Sequence, residues 1–479
     1  MKITQLLLVI LVLSFNKNKA QVNAASNFTM ISNINPEASF NSSGNKYSGC
    51  WGWYQSSLNK EYAIAGSQTG IYWIDITNPA TPVVSSFSTG ASTNATWREI
   101  KTYQNYCYVI TDDNSGTGLQ IFDMSNLPTS VTKVYHSQTL FNRGHAAWID
   151  GNKLYISGIT YSTSAASSMN IYSLATPTAP VLLRSLNQDV PSITYVHDMF
   201  VRNDTIYASC GYQGLYVLKF NSLTNIITQL GSLITYSGSG YNHASALTPN
   251  GQTLVFMDEV PASLPIKVAN VSNLSNIQVL ATTNQFTATT PHNPFMVSNQ
   301  YCFASSYQDG LQLYDISIPS SPVLAGYFDT YYQGGGNIGS WPGSAYKGNW
   351  GAYPFFPSKT IFALDMTNGV FLLKTHLYQN QTTQIKNQAA SNSELNLFPN
   401  PAQDKLNFNI PVELLNKNIS VQVFDAKGKL IIELSKEDIT SISYIYRSID
   451  VSMLSSGLYF FNLIIENQIL VNKKFTISN

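Results

Sequence analysis

A chain of 479 residues exceeds one ordinary domain, so two or three are expected. Lys plus Arg equal Asp plus Glu at 26 each and charged residues make up only 11%, which leaves neither a basic footprint for nucleic acid nor an acidic tail. Aromatics reach 12%, with 29 Tyr; set among frequent Ser, Thr, Asn and Gly, they predict a β-rich protein with many turns.

The chain opens MKITQLLLVILVLSF, a basic start and a ten-residue stretch that is apolar but for Ser14, followed by small residues around Ala20 and Ala25. Residues 1–20 resemble a secretory signal peptide, too short in its apolar part to span a bilayer as a helix. No later stretch approaches eighteen consecutive apolar residues, so no transmembrane helix is expected in the mature chain, which should be exported. Export permits disulfides, yet Cys50, Cys107, Cys210 and Cys302 are spread without metal-type spacing. Cys107 in YCYVI and Cys302 in YCFAS read as buried strand residues carrying free thiols.

From residue 46 onward the chain repeats. AIAGSQTGIYWIDITNPATPV at 63–83, YVITDDNSGTGLQIFDMSNLP at 108–128 and FASSYQDGLQLYDISIPSSPV at 303–323 are versions of one unit. Each has an apolar strand, a Gly-rich turn, a strand reading G-[IL]-x-x-x-D and a turn with Pro. The closing Asp75, Asp123 and Asp315 precede turns where a carboxylate accepts backbone N–H groups, so they read as turn caps rather than catalytic groups. Four of the six histidines recur at steps of about fifty residues, in GHAAWID, VHDMFVR, NHASALT and PHNPFMV. Aligned unit starts are Trp51, Trp97, His145, His197, His243, His292 and Trp350, which makes seven units, each opening with a planar ring.

Units of four short strands at this period predict an all-β, seven-bladed β-propeller over residues 21–376. The final unit has room for three strands, and NFTMISNI at 27–34 alternates suitably to supply the fourth, which would leave no open edge. The strand motifs GLQIFDMSNLP and GLQLYDISIPSSPV resemble those of the LVIVD-repeat propellers of the choice-of-anchor B family. That resemblance covers roughly residues 46–376, with GLYVLKF and LPIKVANVSN in units four and five departing from the pattern.

After a polar linker at 377–393, residues 394–479 form a strand-rich module that reads as a small β-sandwich with a Gly turn at Gly428. The order PNP, DAKGK, LSSGLY and a terminal Lys-rich strand resembles the type A sorting domain of type IX secretion. The resemblance implies that the type IX machinery is a partner through 394–479, with release or surface attachment after crossing the outer membrane.

In a propeller, equivalent first strands line one channel. Four imidazoles from consecutive units, with Asp258 or Glu259 near the same rim, have the ligand types for zinc or another divalent cation. The competing reading is structural, with each histidine bonding across to a neighbouring blade. Trp51, Trp97 and Trp350 are candidate ligand-stacking residues, joined by Tyr331, Tyr332 and Trp341 in the long insertion at 331–349, which reads as an aromatic lid. No G-x-S-x-G elbow, H-E-x-x-H helix or phosphate loop is present. The function expected is a binding module for a protein or glycan, acting through the face that carries the rings. A metal-dependent hydrolase or lyase at the channel mouth is the alternative.

Overall fold

The computed structural model describes residues 24–113, 116–163, 165–283, 290–333, 347–379, 397–409, 419–426, 429–435, 446–465 and 468–478. The signal segment, Trp341, Gly428 and most of the 377–393 linker lie outside them. The chain divides into two compact units, separating after Gln379.

Each repeat becomes one antiparallel sheet. In the first blade Tyr47–Gln55, Lys60–Ser67, Gly70–Asp75 and Val83–Thr89 pair in sequence order, and five further sheets follow the same meander. The seventh consists of Asn349–Tyr353, Ile361–Asp365 and Gly369–Lys374, with Thr29–Ile34 as its outer strand, antiparallel to Gly369–Lys374. Ala25–Ser26 adds a fifth strand to the outer edge of the sixth blade. The described residues therefore form a seven-bladed β-propeller.

The two motif residues have distinct physical reasons. A Cβ on Gly70, Gly118, Gly310 or Gly369 would collide with a backbone carbonyl of the fourth strand, at Ser88, Ser137, Phe328 and Ile34 respectively, so only glycine lets the blade close there. The Asp that ends the motif caps the next turn: Asp75, Asp123 and Asp315 accept the backbone N–H of Thr77, Ser125 and Ser317 at 2.8–2.9 Å. Asn270 accepts from Ser272 in the same way in blade five, where the Asp is absent.

Alternation along each strand sends apolar side chains to both blade faces, and each face finds its partner on the neighbour. One apolar cluster joins blades one and two around Trp73 and Phe122, and the next joins blades two and three around Ile121 and Leu154. The series continues through Met169 with Ile206, Val217 with Phe256, Met257 with Cys302, and Phe303 with Phe371. Ala63, Ala65 and Leu364 bring blade seven back onto blade one. All four cysteines are buried and unpaired in these layers.

One buried ion pair interrupts the apolar faces. Lys267 and Asp258 meet at 2.6 Å with no solvent exposure, and Tyr236 donates its hydroxyl to the same carboxylate at 2.8 Å. Burial pulls the Lys267 ammonium down, against the favourable charge of Asp258. Asp258 was expected near the rim as a metal ligand; it is instead committed to this pair inside blade five.

The second unit is a β-sandwich of two sheets. Leu397–Phe398, Lys405–Asn409 and Tyr446–Asp450 form one, while Leu430–Leu434, Ile419–Asp425, Gly457–Ile465 and Gln468–Ile477 form the other. Leu406, Phe408 and Ile449 from the first pack with Val421, Val423, Phe461 and Phe475 from the second.

Two stability outcomes follow. Phe28 precedes the closing strand, is 8% exposed and packs edge-on against Phe303. Phe28→Ala should therefore cost about 3 kcal/mol in denaturant unfolding, against under about 0.5 kcal/mol for the exposed Leu223→Ala. Lys267→Met strands a buried carboxylate and should cost about 3–5 kcal/mol, most of it recovered when Asp258→Asn is added.

Candidate functional site

The residues that open each repeat escape strand alternation by two devices. His145, His197, His292 and Trp97 stand one or two positions before the first strand of their blades begins. His243 and Trp350 lie inside their strands, each as the extra residue of a β-bulge, between Asn242 and Ala244 and between Asn349 and Gly351. Either device turns the ring into the channel rather than onto a blade face.

The result is a continuous arc. Ring centroids are 4.2 Å apart from His145 to His197 and from His197 to His243, then 4.4 Å to His292 and 4.3 Å to Trp350. Trp350 stacks on Trp97 at 5.0 Å with 15° between the planes. Blade one contributes no ring. Its strand pairs Trp51 with Ile64 in the register that pairs Trp148 with Tyr155 and Phe295 with Phe303, so Trp51 belongs one layer away from the arc. The residues in its bulge, Ser48 and Gly49, have nothing planar to offer; a Cβ on Gly49 would strike the Arg98 carbonyl.

Trp51 helps build the floor. Its indole meets Trp148 at 6.0 Å and Tyr353 at 5.2 Å, with the Lys101 ammonium 4.3 Å from its centre. Between floor and arc only about 50 Å³ remains. Beyond the arc lies a cavity of about 420 Å³. Its wall includes Trp97, Trp350, Tyr195, Tyr241, Tyr307 and Tyr212, with Glu99, Asp198, Glu259 and Asn293 as polar points.

The imidazoles are held by backbone. His197 Nδ1 donates to the His243 carbonyl of the next blade at 3.1 Å, and His292 Nδ1 to the Trp350 carbonyl at 2.6 Å, whereas His243 Nδ1 is buried with no hydrogen-bond partner among the described residues. A carbonyl only accepts, so these bonds place the proton on Nδ1 and leave Nε2 as a lone pair. Burial, then the charge of neighbouring histidines, lowers His197 well below its ordinary value and takes His243 and His292 down to about 3. His145 differs. Burial lowers it too, but its 2.7 Å bond to Asp112 and that carboxylate's charge outweigh the loss and raise it.

Of the expected ligand types, His243, Glu259 and His292 come together, with one ligand atom from each lying within 4.8 Å of the others. His145 is committed to Asp112, and the Asp258 carboxylate turns away into its blade. Tyr331 and Tyr332 do not line the cavity: Thr330 bonds Asp365 at 2.7 Å and the Tyr331 N–H bonds Asp329 at 2.9 Å, tying that segment to the turn of blade seven. The rest of the lid, with Trp341, falls outside the described residues.

Two features of the wall were missed in the sequence. Asp198 borders the cavity beside His197, because His197 precedes the strand and strict alternation does not apply to the pair. Burial, then the Glu99 charge, pushes Asp198 up to about 6. Tyr195 and Tyr241 both line the cavity, and each stands two residues before a ring histidine. That Tyr-x-His spacing was a readable signal.

The family models agree with this architecture. Residues 396–478 match the secretion system C-terminal sorting domain, and residues 295–330 match the LVIVD repeat. No curated protein matches the chain. Among solved structures, PorZ of Porphyromonas gingivalis, described as an essential bacterial surface component of the type IX secretion system, is 11% identical with a TM-score of 0.41. The alignment covers 90% of this chain but only 57% of PorZ, so the chain spans little more than half of that protein. A protein from Lactobacillus plantarum gives 11% and 0.47 over 85% of this chain and 99% of its own. YCF48 from Cyanidioschyzon merolae gives 10% and 0.47 over 73% and 98%. Fold and family matches together make the chain a β-propeller that carries an LVIVD repeat and ends in a sorting domain of the type IX secretion system.

Proposed function

We propose that this protein is exported by its N-terminal signal segment, delivered by its sorting domain to the cell surface or the medium, and there binds a glycan or protein ligand through the ring-bearing face. Among the described residues no helix is long and apolar enough to cross a membrane. The observation that carries the binding reading is the 420 Å³ cavity, a volume within the usual range for small-ligand sites. Its stacked Trp97 and Trp350 offer a flat apolar wall to the C–H face of a sugar, while Asp198, Glu259 and Asn293 are placed to hydrogen-bond hydroxyl groups. A terminal sugar of a surface or extracellular glycan fits that combination of size, flatness and polarity. The alternative of a metal-dependent hydrolase or lyase draws on the His243, Glu259 and His292 group in the same wall.

A glycan array probed with the full mature chain, followed by calorimetry on the best binder, tests the ligand class. Trp97→Ala should raise Kd about tenfold, roughly 1.4 kcal/mol, with the melting temperature little changed. An unchanged Kd would move binding away from this cavity. Deleting residues 394–479 should leave folded propeller in the periplasm, read by cell fractionation; normal surface delivery without that segment would remove the secretion reading.

A further inference from the structure

The geometry points to a divalent-cation site of the zinc type formed by His243, Glu259 and His292, with one coordination position open to the cavity. This deepens the proposed binding role and rests on it for the ligand, since the open position would take an oxygen of whatever enters.

Three observations converge. The first is donor chemistry and separation. Two imidazoles and one carboxylate are a ligand set used by zinc sites that keep an exchangeable position. His243 Nε2 and Glu259 Oε2 are 3.7 Å apart, and the three donors span no more than 4.8 Å. A tetrahedral ion with bonds of about 2.0–2.1 Å needs donors about 3.3 Å apart, so a small inward rotation of the side chains completes the site.

The second is the hydrogen bonding behind the donors. The Trp350 carbonyl holds the proton of His292 on Nδ1 and so leaves its Nε2 as a lone pair, while His243 turns its Nε2 toward Glu259 Oε2. Tyr307 donates its hydroxyl to Glu259 Oε1 at 2.7 Å, which orients the carboxylate and leaves Oε2 toward His243. A backbone carbonyl behind the His292 imidazole and a hydroxyl behind the carboxylate are supports of the kind that metal ligands use.

The third is rigidity and selection. His243, Glu259, His292 and Tyr307 are each no more than 9% exposed and come from adjacent blades five and six, which are packed together by the Met257 and Cys302 cluster. Two other carboxylates are otherwise committed, Asp112 to His145 and Arg143, Asp258 to Lys267. The arc therefore supplies one three-donor site rather than a four-histidine one.

The test uses the full mature chain, purified without an affinity tag, stripped with chelator and titrated with Zn²⁺ and, for its visible spectrum, with Co²⁺. The wild type should take one ion per chain and give the absorption of a four-coordinate Co²⁺ centre. Glu259→Gln, which keeps shape and an acceptor for Tyr307, should weaken the ion at least a hundredfold, as should His292→Ala. Tyr307→Phe should weaken it ten- to a hundredfold, and His145→Ala should leave it unchanged. Thermal melting of each apo variant reports whether the fold survives, and Glu259→Gln covers the case in which the histidine variants do not fold. No ion bound at millimolar Zn²⁺, or equal affinity in wild type and Glu259→Gln, overturns the site. A chain that takes no metal yet still binds its glycan overturns the cation site and leaves the binding role standing; one that takes metal but no glycan does the reverse.

Discussion

Every blade of this propeller depends on burying two apolar faces against two neighbours. No sheet here has a free-standing core, because each of the seven apolar clusters is shared between consecutive blades, from Trp73 against Phe122 round to Ala63 and Ala65 against Leu364. That constraint fixes the closed ring, and the closed ring fixes the channel. A four-stranded sheet released from the circle would expose one or both faces and lose the hydrophobic contribution that holds its strands together.

The channel inherits its chemistry from the same geometry. At the inner edge of six blades a residue just before the first strand, or in a bulge within it, escapes alternation and points inward. Backbone carbonyls of the next blade then hold His197 and His292 in a single tautomer, and burial keeps His197, His243 and His292 neutral. The histidines are in this sense structural and chemical at once. The bond that ties one blade to the next through Nδ1 is also the bond that leaves Nε2 bare. The two readings of the repeated histidine, as blade fastener and as ligand, are thus compatible within one side chain.

Much of this architecture was legible in the sequence, because it rests on periodic signals. The alternating strands, the glycine forced by the fourth strand's carbonyl, and the Asp that caps the following turn recur often enough to number the blades. Recurrence also located six of the rings that form the arc. It failed for Trp51, since the bulge of blade one shifts the register without any mark in composition, and the Trp falls where later blades have Trp148 and Phe295. It could not choose between Asp258 and Glu259. The two are adjacent at the end of a strand, and only the placement of Lys267 shows which carboxylate is already neutralised. Tyr195 and Tyr241 come from positions two residues before ring histidines, and Tyr212 and Tyr307 from turns, where no apolar pattern singles them out.

The outer strand of the last blade comes from the beginning of the chain, and Asn33 bonds the Val370 carbonyl across 337 residues. A segment synthesised early is therefore among the last to find its place. Until blade seven exists, Thr29–Ile34 has no sheet to join and blade one has no neighbour on its open side. Closing so long a loop is a slow, entropically opposed step, which delays completion of the circle rather than its individual sheets. A chain built this way stays open and threadable while it is still being made and becomes locked only once all seven repeats are present.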